Sequence, residues 1–332
     1  MASLLDRRRF LLALGALGAS ACLPAAAIAA GMQPALRRIR GVTLATPDPS
    51  AIERLYVEVF GYVPSGRGRV PEALAQSWGA PACAGRNYLS LRPASGADVF
   101  IRAVEIDEVP GYRPLSTTGW NAVELIADDV YALFERLRRG PFEILGEPKS
   151  LGGSLASIHA MQLVGPAREV VYLSAETGNR DQSTLPVPRS AVDRPFIMVL
   201  GGGWLGGMEH YYSARLGMVP GGRWTLPVAP IARAQGLAPE TPFEISLLRC
   251  AEKGHGIELD AYPATAGPRR RNEGQLPPGI AITSFAVEQV ADMEAVASFL
   301  RPPAALYGEA RAATFLGPVG ELVELIEDGR VP

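Results

Sequence analysis

The stretch FLGPVGELVEL, residues 315–325, decides how this chain is read. Earlier in the chain it has a counterpart, LVGPAREVVYL, residues 163–173. Each runs two apolar residues, Gly-Pro, two variable residues, Glu, an apolar residue, Val, a variable residue and Leu. Gly-Pro marks a turn. The alternation after it is that of a strand, with Glu321, Val323 and Leu325 on one face and Leu322, Glu324 and Ile326 on the other. The two copies differ most at one position, where Tyr172 stands in place of Glu324.

Working outward, the repeat extends beyond the hairpin. GVTLATPDPSAIERLYVEVFGY (41–62) reads as a strand, an Asp-containing turn and a helix. Val42, Leu44 and Thr46 alternate with Gly41, Thr43 and Ala45. Asp48 or Ser50 caps the helix, and Ile52, Leu55, Tyr56 and Val59 share its apolar face. FIMVLGGGWLGGMEHYYSARLGM (196–218) answers it, with Leu216-Gly217-Met218 where Phe60-Gly61-Tyr62 stood. WNAVELIADDVYALFERL (120–137) and AITSFAVEQVADMEAVASFL (281–300) each open a further strand–helix unit. The chain therefore reads as four strand–helix–strand–strand–strand units, two to a domain, with the domain duplicated. The first domain spans 39–176 and the second 195–328. The polar, Pro-containing segment 177–194 links them.

Bulk properties narrow the function. The 332 residues are 48% hydrophobic and 20% charged, which suits a packed core. The net charge of −2 lacks the basic excess a nucleic-acid surface needs. At the N-terminus, DRRRFLLALGALGASACLPAAAIAAG joins Arg7, Arg8 and Arg9 to Phe10-Leu11, an apolar run and AIAAG. This resembles a twin-arginine export signal over residues 1–30. It implies the twin-arginine export machinery as a partner and a periplasmic or secreted destination. A Sec signal or membrane anchor is the alternative. After cleavage two cysteines remain, Cys83 and Cys250. Two buried thiols are preferred over one bridge.

The four units and the closing hairpins resemble the vicinal oxygen chelate superfamily, which includes glyoxalase I, extradiol dioxygenases and bleomycin-resistance proteins. The resemblance covers about residues 39–328. It implies an α+β fold of two tandem domains, each of paired βαβββ units forming a curved open sheet, or cup. It also implies that Glu324 stands where metal-using members hold a carboxylate ligand. Their His ligands come from positions that here carry Gly41 and Ile197, and from positions offering Asn121 or Ala122 and Ser284 or Phe285. None is a good ligand for a divalent transition metal. The expectation is no metal and no cofactor, with a divalent ion at Glu324 as the departing view.

The remaining chemistry lies on the strands. HGIELDAYP (255–263) alternates Ile257, Leu259 and Ala261 with Glu258, Asp260 and Tyr262. WNAVELIA carries Glu124 on an apolar face, and VFIRAVEI carries Arg102. A Glu buried there is either paired, as in a Glu124–Arg102 bridge, or functional. The candidate catalytic residues are Glu324, Glu258, Asp260 and His255, grouped in the second-domain cup. Tyr172, Tyr262, Glu124, Arg102 and Asn121 are the candidate substrate-binding residues. His159 and His210 read as strand-end and helix-surface residues. Arg269, Arg270 and Arg271 either attract an anionic substrate or are solvated. Together these suggest an exported enzyme acting on a small organic molecule, a metal-independent lyase or isomerase using acid–base groups. The alternatives are a protein that sequesters a small ligand and a metal-dependent lyase or dioxygenase with atypical ligands.

Overall fold

The computed structural model describes residues 36–328. The predicted export signal lies outside the described residues. Four units follow one another. The first holds β1 (Arg38–Thr46), α1 (Ala51–Tyr56), β2 (Val63–Arg69), an inserted helix α2 (Glu72–Ser77), β3 (Asn87–Arg92) and β4 (Phe100–Glu105). The second holds β5 (Gly119–Ala127), α3 (Val130–Leu137), β6 (Glu143–Ser150), β7 (Ile158–Val164) and β8 (Val170–Glu176). The third holds β9 (Val192–Gly202), α4 (Leu205–His210), which continues as a π-helical turn, β10 (Val219–Pro227), α5 (Ala229–Ala234), β11 (Pro242–Arg249) and β12 (Gly256–Ala261). The fourth holds β13 (Gly279–Val287), β14 (Ala304–Tyr307), β15 (Ala310–Leu316) and β16 (Leu322–Glu327). In place of the fourth unit's expected helix stands a single 3₁₀ turn, Ala291–Met293. No described helix is long and apolar enough to cross a membrane.

The units form two curved eight-stranded sheets, as the α+β reading requires, but they pair across the halves. The first sheet runs β14-β15-β16-β13-β1-β4-β3-β2 and so joins units four and one. The second runs β10-β11-β12-β9-β5-β8-β7-β6 and joins units three and two. The joins are antiparallel, with Gly41 opposite Ser284 and Glu124 opposite Ile197. The expected grouping of unit one with two, and of three with four, is corrected by these strand pairs. Glu324 therefore shares a sheet with Arg102, while Glu258 and Asp260 share one with Glu124 and Tyr172.

Strand alternation sorts the core into three. Val42, Leu44, Ile101, Val323 and Leu325 from the first sheet meet Val123, Leu125, Met198, Leu200, Ile257 and Leu259 from the second, with Ile52, Leu55 and Leu133 of the helices, in one central cluster. The other face of the first sheet, with Ala45, Val104, Ile282 and Leu322, is roofed by Val70, Leu74 and Trp78 around α2. The other face of the second, with Ala122, Val170, Tyr172 and Val199, is roofed by Ile231 and Ala232 of α5.

The repeated hairpin ties these sheets together. Each motif Glu turns its carboxylate back over its own turn: Ala167 N–H donates to Glu169 Oε2 at 2.8 Å, and Val319 N–H to Glu321 Oε2 at 2.9 Å. The motif Gly is required by that fold-back, since a Cβ on Gly165 or Gly317 would lie 2.0 Å from the Glu Oε1. That same Oε1 accepts a tyrosine hydroxyl from a helix of the other sheet's unit, Tyr56 for Glu169 and Tyr212 for Glu321.

Candidate functional site

In the first cup, strand register gathers four polar side chains. Thr43 lies opposite Arg102, Gly41 opposite Ser284, and Ser284 opposite Glu324. Glu324 is fully buried and four donors converge on it. Ser284 Oγ reaches Oε2 at 2.6 Å, with Arg102 Nη2 at 3.4 Å. Trp78 Nε1 reaches Oε1 at 2.9 Å and the Tyr307 hydroxyl reaches it at 2.8 Å. Arg102 also donates to Thr43 Oγ1, from Nη2 at 2.7 Å, and to Tyr307 at 2.6 Å. Its guanidinium carbon sits 4.5 Å from the Trp78 ring centre and 5.0 Å from that of Phe100. Burial alone would lower the Arg102 pKa, but Tyr307 and Glu324 more than offset it, so the proton is held more tightly than usual.

This arrangement does not fit a metal ion. Gly41 cannot be exchanged for a ligand in place, because a Cβ there would lie 2.3 Å from the Phe100 ring. The lone pairs of Glu324 already face N–H and O–H donors. Among the described residues no cluster of three or more His, Cys, Asp or Glu is placed to hold a metal. Arg102 and Glu324 are brought together, and of the two alternatives for Glu124 the Arg102–Glu124 bridge is not formed, because the two lie in different sheets. Glu124 instead accepts a hydrogen bond from the Ser174 hydroxyl.

The second cup gathers the other acidic candidates. Glu258, Asp260 and then Tyr262 project on one face at the end of β12, with Glu124 and Tyr172 in register on β5 and β8. All five are buried, as is Asn121. The Tyr262 ring and the Asn121 amide lie across Gly201, where a Cβ would come within 2.7 Å of the ring and 2.8 Å of Nδ2. Only glycine permits that approach. Burial raises the Tyr262 pKa well above its ordinary value, and nearby Asp260 and Tyr172 raise it further. The Tyr262 hydroxyl is a buried polar group with no hydrogen-bond partner among the described residues. Elsewhere on this sheet, between β6–β7 and the junction of β10 with α5, lies a recess of about 80 Å³ lined by Gly146, Glu147, Lys149, Gln162, Val228 and Pro230; none of Glu258, Asp260 and Tyr262 lines it. Gln162 lies opposite Tyr172 across the sheet.

The remaining candidates are His255 and the arginines of the loop between β12 and β13, of which Arg269 reaches the second cup through Asn121. His255 lies at the entry to β12, and burial, with Arg194 and Arg38 nearby, lowers its pKa to about 3. A ring that stays neutral at ordinary pH is no general acid there. Arg269 is tied down rather than offered to substrate. It donates to Thr117 Oγ1 and Asn121 Oδ1, and to the carbonyls of Trp120, Pro278 and Ile280. Arg270 and Arg271 are exposed, as is His210. His159 Nδ1 lies 2.5 Å from the Tyr131 hydroxyl on the surface. Cys83 and Cys250 are buried free thiols. Sequence reasoning missed Thr43, Trp78 and Tyr307 as partners of Arg102 and Glu324. Tyr307 is at the end of a short edge strand and Trp78 in an insertion, so neither carries a local pattern.

The fold these sheets define is that of the vicinal oxygen chelate proteins. Maize glyoxalase I superposes with a TM-score of 0.58 at 18% identity, over 87% of this chain and 92% of that one. A protein from Bacillus subtilis assigned as a dioxygenase superposes with a TM-score of 0.58 at 12% identity, over 89% of this chain and 86% of that one. No family model matches the sequence, and no curated protein does. At these identities the likeness establishes the fold.

Proposed function

We propose that this chain is an exported enzyme of the vicinal oxygen chelate superfamily that performs acid–base chemistry on a small organic molecule in the second cup, as a metal-independent lyase or isomerase. The observation that carries the proposal is the Tyr262 hydroxyl, buried and unpartnered among the described residues beside Asp260 and Glu258. A phenol whose pKa is raised stays protonated and can donate to an oxygen on which charge develops. One of the two carboxylates takes a proton from the carbon beside a substrate carbonyl, and Tyr262 hydrogen-bonds the resulting enolate oxygen. Where the α-carbon carries a hydroxyl, its proton passes to the enolate oxygen, and return of the abstracted proton to the former carbonyl carbon leaves the carbonyl on the α-carbon, which is isomerisation. Departure of a β-substituent with the electron pair is elimination. Ile231 and Ala232 of α5 pack in the same buried cluster as Tyr172 and Tyr262. Export rests on the arginine-led N-terminus.

Deuterium wash-in tests the chemistry. The mature chain is incubated in D₂O with dihydroxyacetone, glyceraldehyde or pyruvate and followed by proton NMR. Protein-dependent exchange that falls about 10²-fold or more in Asp260→Asn or Glu258→Gln is expected. Exchange indifferent to both changes overturns the proposal. The roofing of the cup by α5 favours a second reading, sequestration without turnover. Binding of one of these compounds with no exchange selects it.

A further inference from the structure

We infer that Arg102 fills, in the first cup, the place of the divalent ion that metal-using members of this fold hold: a resident cation, built into β4, that neutralises the carboxylate at Glu324. A carboxylate buried as fully as Glu324 needs a balancing cation or donors. Here the guanidinium supplies the charge, and its planar fork supplies directional donors. It is held by Thr43 and Tyr307 and lies against Trp78 and Phe100. Three features of the chain agree with this replacement. Gly41 leaves the opening strand with no side chain, and the Phe100 ring fills that space. Ser284, on the strand beside Glu324, donates its hydroxyl to the carboxylate rather than offering a ligand. Trp78, from the inserted helix, closes the remaining side of the carboxylate with its indole N–H. A divalent ion entering this cup would meet a fixed positive charge and a carboxylate whose oxygens are committed to other donors.

The test combines metal analysis with a double-mutant cycle on the full chain. Elemental analysis of tag-free protein, and melting with EDTA or with added Mn²⁺, Ni²⁺ or Zn²⁺, read the cation's identity. No stoichiometric metal and a melting temperature shifted by none of these additions are expected. Arg102→Met leaves Glu324 buried without its cation and lowers the melting temperature by about 5 °C or more. Adding Glu324→Gln to Arg102→Met recovers part of that loss, so the two changes are non-additive. Should Arg102→Met fail to fold, Arg102→Lys, which keeps charge but loses the fork, supplies the single variant. It is expected to melt below the parent, with its deficit reduced in Arg102→Lys/Glu324→Gln. Additive effects, or a stoichiometric metal whose removal lowers the parent's melting temperature, overturn the inference.

Discussion

The Tyr212 hydroxyl, on the helical segment of unit three, donates a 2.7 Å hydrogen bond to Glu321 Oε1 in unit four, across the seam between the two sheets. Tyr56 and Glu169 make the same bond at 3.2 Å on the other side of the duplication. The hairpin is written twice because each sheet is stapled once to the other. Burial raises both carboxyls from 4.5 to about 7, although the tyrosines and turn N–H groups pull the other way.

A pH dependence of stability follows. A carboxyl whose folded pKa lies above its unfolded value stabilises most below pH 4.5. That contribution is lost as pH rises through about 7. Each site contributes roughly 3 kcal/mol over that window, from about 1.4 kcal/mol per pKa unit. Urea melts at pH 5 and pH 8 check this. Glu321→Gln and Glu169→Gln should each narrow the difference between the two curves, and an unchanged difference would refute the assignment.

Gly317→Ala places a methyl 2.0 Å from Glu321 Oε1. The carboxylate must then leave its turn, at a cost of about 1–3 kcal/mol for the hydrogen bonds given up. The same glycine change made in a Glu321→Ala background should cost much less. Chemical denaturation of the two pairs measures the difference.

Gly201→Ala addresses the second cup in the same way. Its Cβ would meet the Tyr262 ring and the Asn121 amide, so both must shift. Loss of deuterium exchange, accompanied by a change in Tyr262 ultraviolet absorbance, is expected. Full exchange in a folded Gly201→Ala protein would place the chemistry elsewhere.

Much of this was legible in the residues. The period-2 alternation of Glu258, Asp260 and Tyr262 against Ile257 and Leu259 gave the two faces of β12, and the hairpin repeat gave four units. What alternation cannot encode is which strand edge meets which. β1 could pair with β5 or with β13 on local pattern alone, and the choice moved Glu324 away from Glu258 and beside Arg102. His255 has carboxylates as its sequence neighbours, whereas burial and the nearby charges of Arg194 and Arg38 are what bear on it in the fold. The helix expected in the second part of 281–300 shrinks to one turn, and the Pro302-Pro303 pair beyond it leads directly into β14.

The export reading has its own test. Replacing Arg7, Arg8 and Arg9 with Lys should leave folded protein in the cytoplasm, measured by fractionation and immunoblotting. Undiminished periplasmic accumulation would show that another route carries the chain.

The account divides labour between the cups: a structural guanidinium–carboxylate lock in the first, acid–base chemistry in the second. Deuterium wash-in with Glu258→Gln and Glu324→Gln side by side, each checked for folding by its melting curve, measures this directly. The account predicts exchange lowered about 10²-fold or more in Glu258→Gln and largely retained in folded Glu324→Gln. Exchange abolished by Glu324→Gln and untouched by Glu258→Gln would contradict it.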